Sequence, residues 1–161
     1  MSLLLGLTLS LIVLDCKSSP HVLYQNQLVS LDGILTRDGV TLDTSGGTAV
    51  RIESDGPRTV RLAEVQTEAA EAVVLTYRGH LRTANLKGRA YLEMRCSIPG
   101  KGELLARAPQ GPSTGTTDWV TQVTRLSLGS QPRPQTVRLN VEIEGPGVVW
   151  VHNILLAQAA R

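Results

Sequence analysis

The sequence predicts an all-β domain, a sandwich or barrel, and three observations carry that expectation. Short β-prone runs recur with Gly, Pro, Asp and Ser between them, at intervals of roughly a dozen residues. Two of these runs, residues 89–98 and 136–144, alternate apolar and polar side chains. No stretch after Pro20 sustains the apolar period of a three-turn amphipathic helix. The 161 residues suit one domain behind a short leader, and 42% hydrophobic content suits a packed core. Phe is absent and aromatics are 3%, so that core has to be built from Leu, Val, Ile and Ala.

The chain opens on an uncharged apolar run, residues 3–14 (LLLGLTLSLIVL). As a helix it would span about 18 Å, short of the roughly 30 Å of a bilayer core but right for the h-region of a secretory signal. Only the α-amino group supplies positive charge in front of it. Cys16 follows, then a polar stretch, Lys17-Ser18-Ser19-Pro20. This order resembles a bacterial lipoprotein leader, in which Cys16 would become the lipidated first residue; Asp15 departs from the small residue usual there. The organisation expected is a leader at 1–16, a tether at 17–21 and a β domain at 22–158. It implies an exported protein anchored to a membrane at the cell envelope, in a bacterial periplasm or on the cell surface, through its N-terminus.

Strands are expected at residues 48–53, 58–65 and 72–78. Residues 64–74 (EVQTEAAEAVV) have room for one helical turn before they merge into the third of these. In residues 89–98, Leu92, Met94, Cys96 and Ile98 share one face, and Tyr91, Glu93, Arg95 and Ser97 the other. Pro99 to Gly102 turns the chain into a strand at 103–108. A loop at 109–117 precedes a strand at 118–128, and another loop fills 129–135. In residues 136–144, Val137, Leu139, Val141 and Ile143 face the core. The turn Glu144-Gly145-Pro146-Gly147 then returns residues 148–156 as the partner strand of a hairpin.

Several chemistries are disfavoured. Net charge is +2 with both signs dispersed, which lacks the basic, aromatic-studded stripe of a nucleic-acid groove. The two cysteines form no CxxC pair, and His21, His80 and His152 have no metal-ligand spacing. His80 reads as a turn or strand-edge residue. Cys96 reads as a buried core thiol; a disulfide to Cys16 is the alternative, excluded if Cys16 carries lipid. Gly111-Pro112-Ser113-Thr114-Gly115 matches G-x-S-x-G, but no strand–turn–helix surrounds it, so it is a turn and not a nucleophile elbow. The carboxylates are scattered, and no catalytic residues are nominated.

The second half, roughly residues 70–157, resembles the galactose-binding-like jelly rolls, which include many carbohydrate-binding modules. The matching stretches are Thr116-Thr117-Asp118-Trp119, the alternating run 136–144, and Gly147-Val148-Val149-Trp150-Val151-His152-Asn153-Ile154-Leu155-Leu156. The resemblance implies a two-sheet antiparallel jelly-roll sandwich and a non-catalytic accessory binding domain that takes carbohydrate. A structural or protein-interaction domain of the envelope with no small-molecule ligand is the alternative. Some relatives hold a structural calcium through an acidic residue where this chain has His152-Asn153. Asn153 offers a carbonyl oxygen without the charge, which argues against calcium and leaves no cofactor implied.

The outward residues of the two clearest strands and the return strand are the candidate ligand site: Tyr91, Glu93, Arg95, Arg138, Asn140, Glu142, Trp150 and His152. On one polar, concave face they would suit a polyol, with carboxylate, amide and guanidinium groups bridging hydroxyls and a ring against the sugar's C–H side. The plainer reading of the same residues is a solvated face with cross-strand charge pairs. Trp119 reads as a core or rim anchor rather than a ligand platform. The partners expected are a glycan or an envelope protein, with no nucleic acid.

Overall fold

The computed structural model describes residues 19–67, 73–108 and 113–160. The leader, Cys16, the start of the tether, residues 68–72 and residues 109–112 lie outside them.

The described residues hold nine strands: β1 His21–Asn26, β2 Val40–Asp43, β3 Ala49–Ser54, β4 Arg58–Gln66, β5 Val73–Ile98, β6 Gly102–Arg107, β7 Ser113–Ser127, β8 Thr136–Ile143 and β9 Gly147–Ala160. Every pairing between them is antiparallel. The 26-residue β5 organises the rest, because the strands expected at 72–78 and 89–98 are one bent strand. Val73, Leu75, Tyr77 and Leu81 face the core in its first half; Ala90, Leu92, Met94, Cys96 and Ile98 do so in its second. The inward set changes from odd to even positions across residues 85–89. Asn85 (φ 51°) and Gly88 (φ 111°) take left-handed backbone there, and the register with β7 slips. Bulged residues of this kind bend a strand and re-aim its side chains.

The bend divides the partners of β5 into two layers. Its first half lies between β7 and β9, and the layer continues through β3 to β2, with β1 beside the far end of β9. Its second half lies between β6 and β8, and that layer ends at β4. Aliphatic side chains from both layers merge into one buried cluster, as the period-two pattern requires. The layers press close together at Gly79. A Cβ there would stand 3.1 Å from Ile154 and 3.3 Å from Leu92 of the opposite layer. Tyr77 is a fully buried aromatic residue, and desolvation pushes its phenol pKa up. Cys96 is a free thiol in the same core, its pKa pushed up to about 12 by burial.

The hairpin expected across residues 136–156 does not form. Both strands exist, but β8 pairs with β4 and β5, and β9 pairs with β1, β3 and β5. They flank the same edge of β5 on either side of its bend, and residues 144–146 carry the chain from one layer to the other. This corner lies directly on the bend of β5. Glu144 N donates to Arg89 O at 2.8 Å, and Lys87 N donates to Pro146 O at 2.8 Å. A Cβ on Gly145 would overlap Lys87 O at 1.7 Å, and one on Gly147 (φ 147°) would lie 2.6 Å from Leu86 Cα. The glycines that read as a tight turn are therefore sites of close backbone approach.

Bending leaves part of β5 without its ladder, and buried polar side chains of β7 fill the gap. Gln122 accepts from Leu92 N at 2.9 Å and donates to Ala90 O at 3.2 Å, and Thr124 donates to Leu92 O at 3.0 Å. Gln122 also donates to Ser113 Oγ at 3.3 Å, so the serine of the G-x-S-x-G match is a buried structural hydroxyl at the start of β7. The strands expected at 48–53, 58–65, 103–108 and 118–128 correspond to β3, β4, β6 and β7, while the short β1 and β2 are additional. No helix is present among the described residues; residues 64–66 end β4 instead of starting a helical turn.

Candidate functional site

The sandwich has two outer faces, and the eight candidate residues divide between them. Six lie on the outside of the β6–β5–β8–β4 layer. In register, Tyr91 stands opposite Glu142, Glu93 opposite Asn140, and Arg95 opposite Arg138. Trp150 and His152 lie on β9, on the outside of the other layer, opposite Arg82 and His80 of β5. The single concave face expected from the sequence therefore does not exist. The reason is the misassigned hairpin: β9 does not return beside β8 but continues past the corner.

The first face is closed upon itself. Glu93, expected in solvent, is fully buried, and Tyr91 and Asn140 are buried with it. Long arginine stems from the same layer cover them. Glu93 accepts from Arg95 Nε at 2.6 Å, Arg107 Nε at 3.2 Å and Asn140 Nδ2 at 3.3 Å, and the Arg107 guanidinium lies 5.4 Å from the Tyr91 ring centre. Arg95 and Arg138, directly opposed like charges, are held together by Glu103 between them, and Arg138 also binds Glu64 at 3.0 Å. At the corner, Arg89 grips Glu144 through two hydrogen bonds of 2.6 and 2.8 Å, which hold the Glu144 carboxyl below its ordinary pKa. These groups carry the cross-strand pairing of a solvated face, with the charges spent on one another.

The second face is built differently. Its central row runs across four strands: Trp119 of β7, Arg82 of β5, Trp150 of β9 and Arg51 of β3. The Arg82 guanidinium lies 4.4 Å from the Trp150 ring centre and 5.2 Å from that of Trp119, so it sits between the two indoles. Trp150 Nε1 donates to Asp43 Oδ2 at 2.6 Å, which fixes the ring. Hydrogen bonds from Ser45, and then from Trp150, lower the Asp43 pKa to about 2. In the next row His80 stacks on His152 with centroids 4.9 Å apart, and the edge of Trp119 meets His152 at 4.4 Å. Thr121 Oγ1 and His80 Nδ1 share a hydrogen bond of 3.0 Å. Partial burial, and then the neighbouring His80, depress the His152 pKa.

Further along this face Arg78 and Arg125 occupy diagonal positions on β5 and β7, since Arg78 pairs with Val123 and Thr76 with Arg125. They rim a groove of about 360 Å³ floored by Leu155, Ala157 and Ala159, with Val22 and Pro20 along its side.

Sequence reasoning missed His80, Arg82, Arg51 and Asp43, and it set Trp119 apart as an anchor. Trp119 does stand at the rim, on an outermost strand, yet its ring belongs to the central row. The signal for His80 and Arg82 was present: Thr76, Arg78, His80 and Arg82 alternate with Leu75, Tyr77, Gly79 and Leu81. Gly79 disguised it, because a glycine in a core position reads as a break.

Asn153 (φ 51°) is a bulge residue at the point where β9 exchanges β3 for β1 as its neighbour, and its N–H donates to Gln27 O at 3.2 Å. The pocket beside it is lined by Gln27, Val29, Thr48, His152 and Asn153, without a carboxylate. That donor set does not fit the calcium that the family resemblance brings to mind. No group of three or more His, Cys, Asp or Glu among the described residues is arranged to hold a metal.

No family model matches the sequence, and no curated protein matches it either. Solved structures do match the fold. The CBM22-1 xylan-binding domain of Paenibacillus barcinonensis Xyn10C aligns with a TM-score of 0.62 at 11% identity, over 89% of this chain and 97% of that one. A xylan-binding domain from CBM 22 aligns with a TM-score of 0.61 at 8% identity, over 88% and 97%. The CBM22-1–GH10 modules of Clostridium thermocellum Xyn10B, complexed with xylohexaose, align with a TM-score of 0.61 at 7% identity; this chain spans 84% of its own length and 28% of theirs. The bent β5, its two layers and the corner at residues 144–147 thus make the jelly-roll sandwich expected from the sequence, the fold shared with these carbohydrate-binding modules.

Proposed function

We propose that the protein is a non-catalytic binding domain that takes carbohydrate on the outer face of the β7–β5–β9–β3–β2 layer. One observation carries this reading. The chain has two tryptophans, 31 positions apart, and the fold brings both into one solvent-facing row with a guanidinium between them. Indole edges and faces suit the C–H surfaces of a pyranose. Arg82, His80 and His152 surround them with groups able to bond ring hydroxyls. The ion-paired face of the other layer offers no comparable opening. The shared fold of xylan-binding modules supports the reading by analogy.

Because both tryptophans lie in the proposed site, indole fluorescence reports on it directly. Titration with xylo-, gluco- and galacto-oligosaccharides is expected to shift or quench that emission saturably, and Trp150→Ala is expected to weaken binding at least about tenfold, in line with the weight of ring stacking. Absence of any emission change and of binding across a glycan panel overturns the reading in favour of a structural or protein-interaction domain, as would a membrane pull-down that recovers one stoichiometric protein.

In the same reading the apolar run at residues 3–14 and Cys16 hold the domain at the cell envelope. Mass spectrometry of the mature N-terminus tests this: a lipid-modified Cys16 supports it, and an unmodified Met1 on a cytoplasmic protein refutes it.

A further inference from the structure

The two faces treat neighbouring arginines differently, although Arg51 of the aromatic face does pair with Glu53, at 2.9 Å. On the closed face the opposed pair Arg95 and Arg138 is bridged by Glu103, and Arg61, Arg89 and Arg107 each hold a carboxylate as well. On the aromatic face Arg78 and Arg125 stand diagonally across β5 and β7 on the rim of one groove. Diagonal neighbours on adjacent strands are roughly 7–8 Å apart, near enough for long side chains to meet and for like charges to repel. Among the described residues neither one ion-pairs with a carboxylate, whereas every ion pair on the closed face is internal. Arg82, two rows away on the same strand, also forms no ion pair among the described residues; its guanidinium lies over two indole rings and, after the hydrogen bonds from Ser45 and Trp150, helps lower the Asp43 pKa through space. Asp43 itself is held by Trp150 and Ser45.

We infer that the carbohydrate taken by this face is an acidic one, a glycan bearing carboxylate or sulfate groups, with Arg78 and Arg125 binding its anionic substituents beside the tryptophan row. This rests on the reading of the face as a carbohydrate platform and adds the class of sugar. Along β5 the row at residue 82 lies about 13 Å from Arg78 and about 20 Å from the level of Arg125, opposite Thr76, at the usual rise of a strand. An extended oligosaccharide can therefore lay rings on the indoles and reach the arginines with a charged residue. A guanidinium pair provides two forks for planar carboxylates or sulfates. The groove they rim is lined by Leu155, Ala157 and Ala159 and carries no carboxylate to compete with such an anion.

The test uses the full chain and three probes: oligogalacturonate, the same oligosaccharide with its carboxyl groups reduced to neutral galactose, and vesicles of anionic phosphatidylglycerol. Binding is read by tryptophan fluorescence and by sedimentation for the vesicles. The inference expects the acidic oligosaccharide to bind at least about tenfold tighter than its reduced form, with an affinity that falls as salt rises. It expects Arg78→Gln with Arg125→Gln to remove that preference and leave the weaker neutral binding in place. Thermal melting of the double variant checks that these exposed substitutions leave the fold intact. Equal affinity for acidic and reduced forms, or a preference that survives the double variant, overturns the inference while the carbohydrate platform stands. Arginine-dependent binding to vesicles with no binding of either sugar, or no binding of any probe, overturns the inference, and the platform then stands or falls on the wider glycan titration.

Discussion

The two outer faces of this sandwich are made from the same residue types, arginine above all, and come to opposite ends. On the β6–β5–β8–β4 face each guanidinium meets a carboxylate of its own layer, and Glu93 sinks out of solvent beneath two of them. Around β7, β5 and β9 on the other face, Arg78, Arg82 and Arg125 form no ion pair among the described residues and meet indole rings or rim a groove. A charge already paired in a good geometry has little left to offer a ligand, because the ligand would have to displace that partner. Charge density is thus a poor guide to a binding surface, and unspent charge beside rings is a better one.

Both faces depend on the corner, so the largest effect is expected there. Gly145→Ala places a methyl group on Lys87 O, where 1.7 Å of space exists. Neither strand can move aside without opening the bend that separates the layers. A loss of about 3 kcal/mol or more of unfolding free energy is expected in denaturant titrations. Gly46→Ala, at a glycine with nothing within 4 Å of the added carbon, is the matched control and should stay within about 0.5 kcal/mol. If the two variants unfold alike, close backbone packing at the corner does not constrain the fold.

The next effects separate the faces from each other. Glu93→Gln removes the negative charge between Arg95 and Arg107. Breaking a buried pair costs about 3–5 kcal/mol; since both arginines reach solvent, a loss of roughly 2–3 kcal/mol is expected, with carbohydrate binding unchanged in the folded fraction. Trp150→Ala should do the reverse. It forfeits the contacts with Arg82 and the hydrogen bond to Asp43, about 1–2 kcal/mol of stability, and most of the binding. A Glu93 variant that binds poorly while well folded, or a Trp150 variant that binds normally, would exchange the roles assigned to the two faces.

Much of this was legible in the sequence. The alternation in residues 89–98 and 136–144 gave the correct inward residues of β5 and β8, every one of them buried. What alternation cannot carry is pairing: residues 148–156 read as a strand, but only the contacts of residues 144–147 with the bend of β5 decide that β9 joins the other layer. Nor can it separate outward from exposed. Glu93 points away from the core as expected, and is buried because arginines from its own strand and from β6 fold over it. The aromatic row stayed hidden for a third reason: its members, residues 51, 82, 119 and 150, come from four separate segments, so Trp150 alone among them stood as a ligand candidate, and Gly79 masked the period of the central strand.

The smallest expected effect distinguishes the faces by pH. His152 titrates below the ordinary imidazole value of 6.5 because it is partly buried and faces His80. The unfolded chain therefore takes up its proton first as pH falls, so the fold is favoured above that value and loses stability as pH drops through and below it. Glu144 on the arginine-paired side behaves in a lower window. Its carboxyl is held below 4.5 by Arg89, so its contribution is intact above that value and fades only as pH falls further. Denaturation midpoints followed from pH 7 downward should show a first decline that His152→Gln flattens and Arg89→Gln does not, then a second, below about pH 5, that responds to Arg89→Gln alone. A first decline unchanged by His152→Gln would place the titrating group outside the histidine stack.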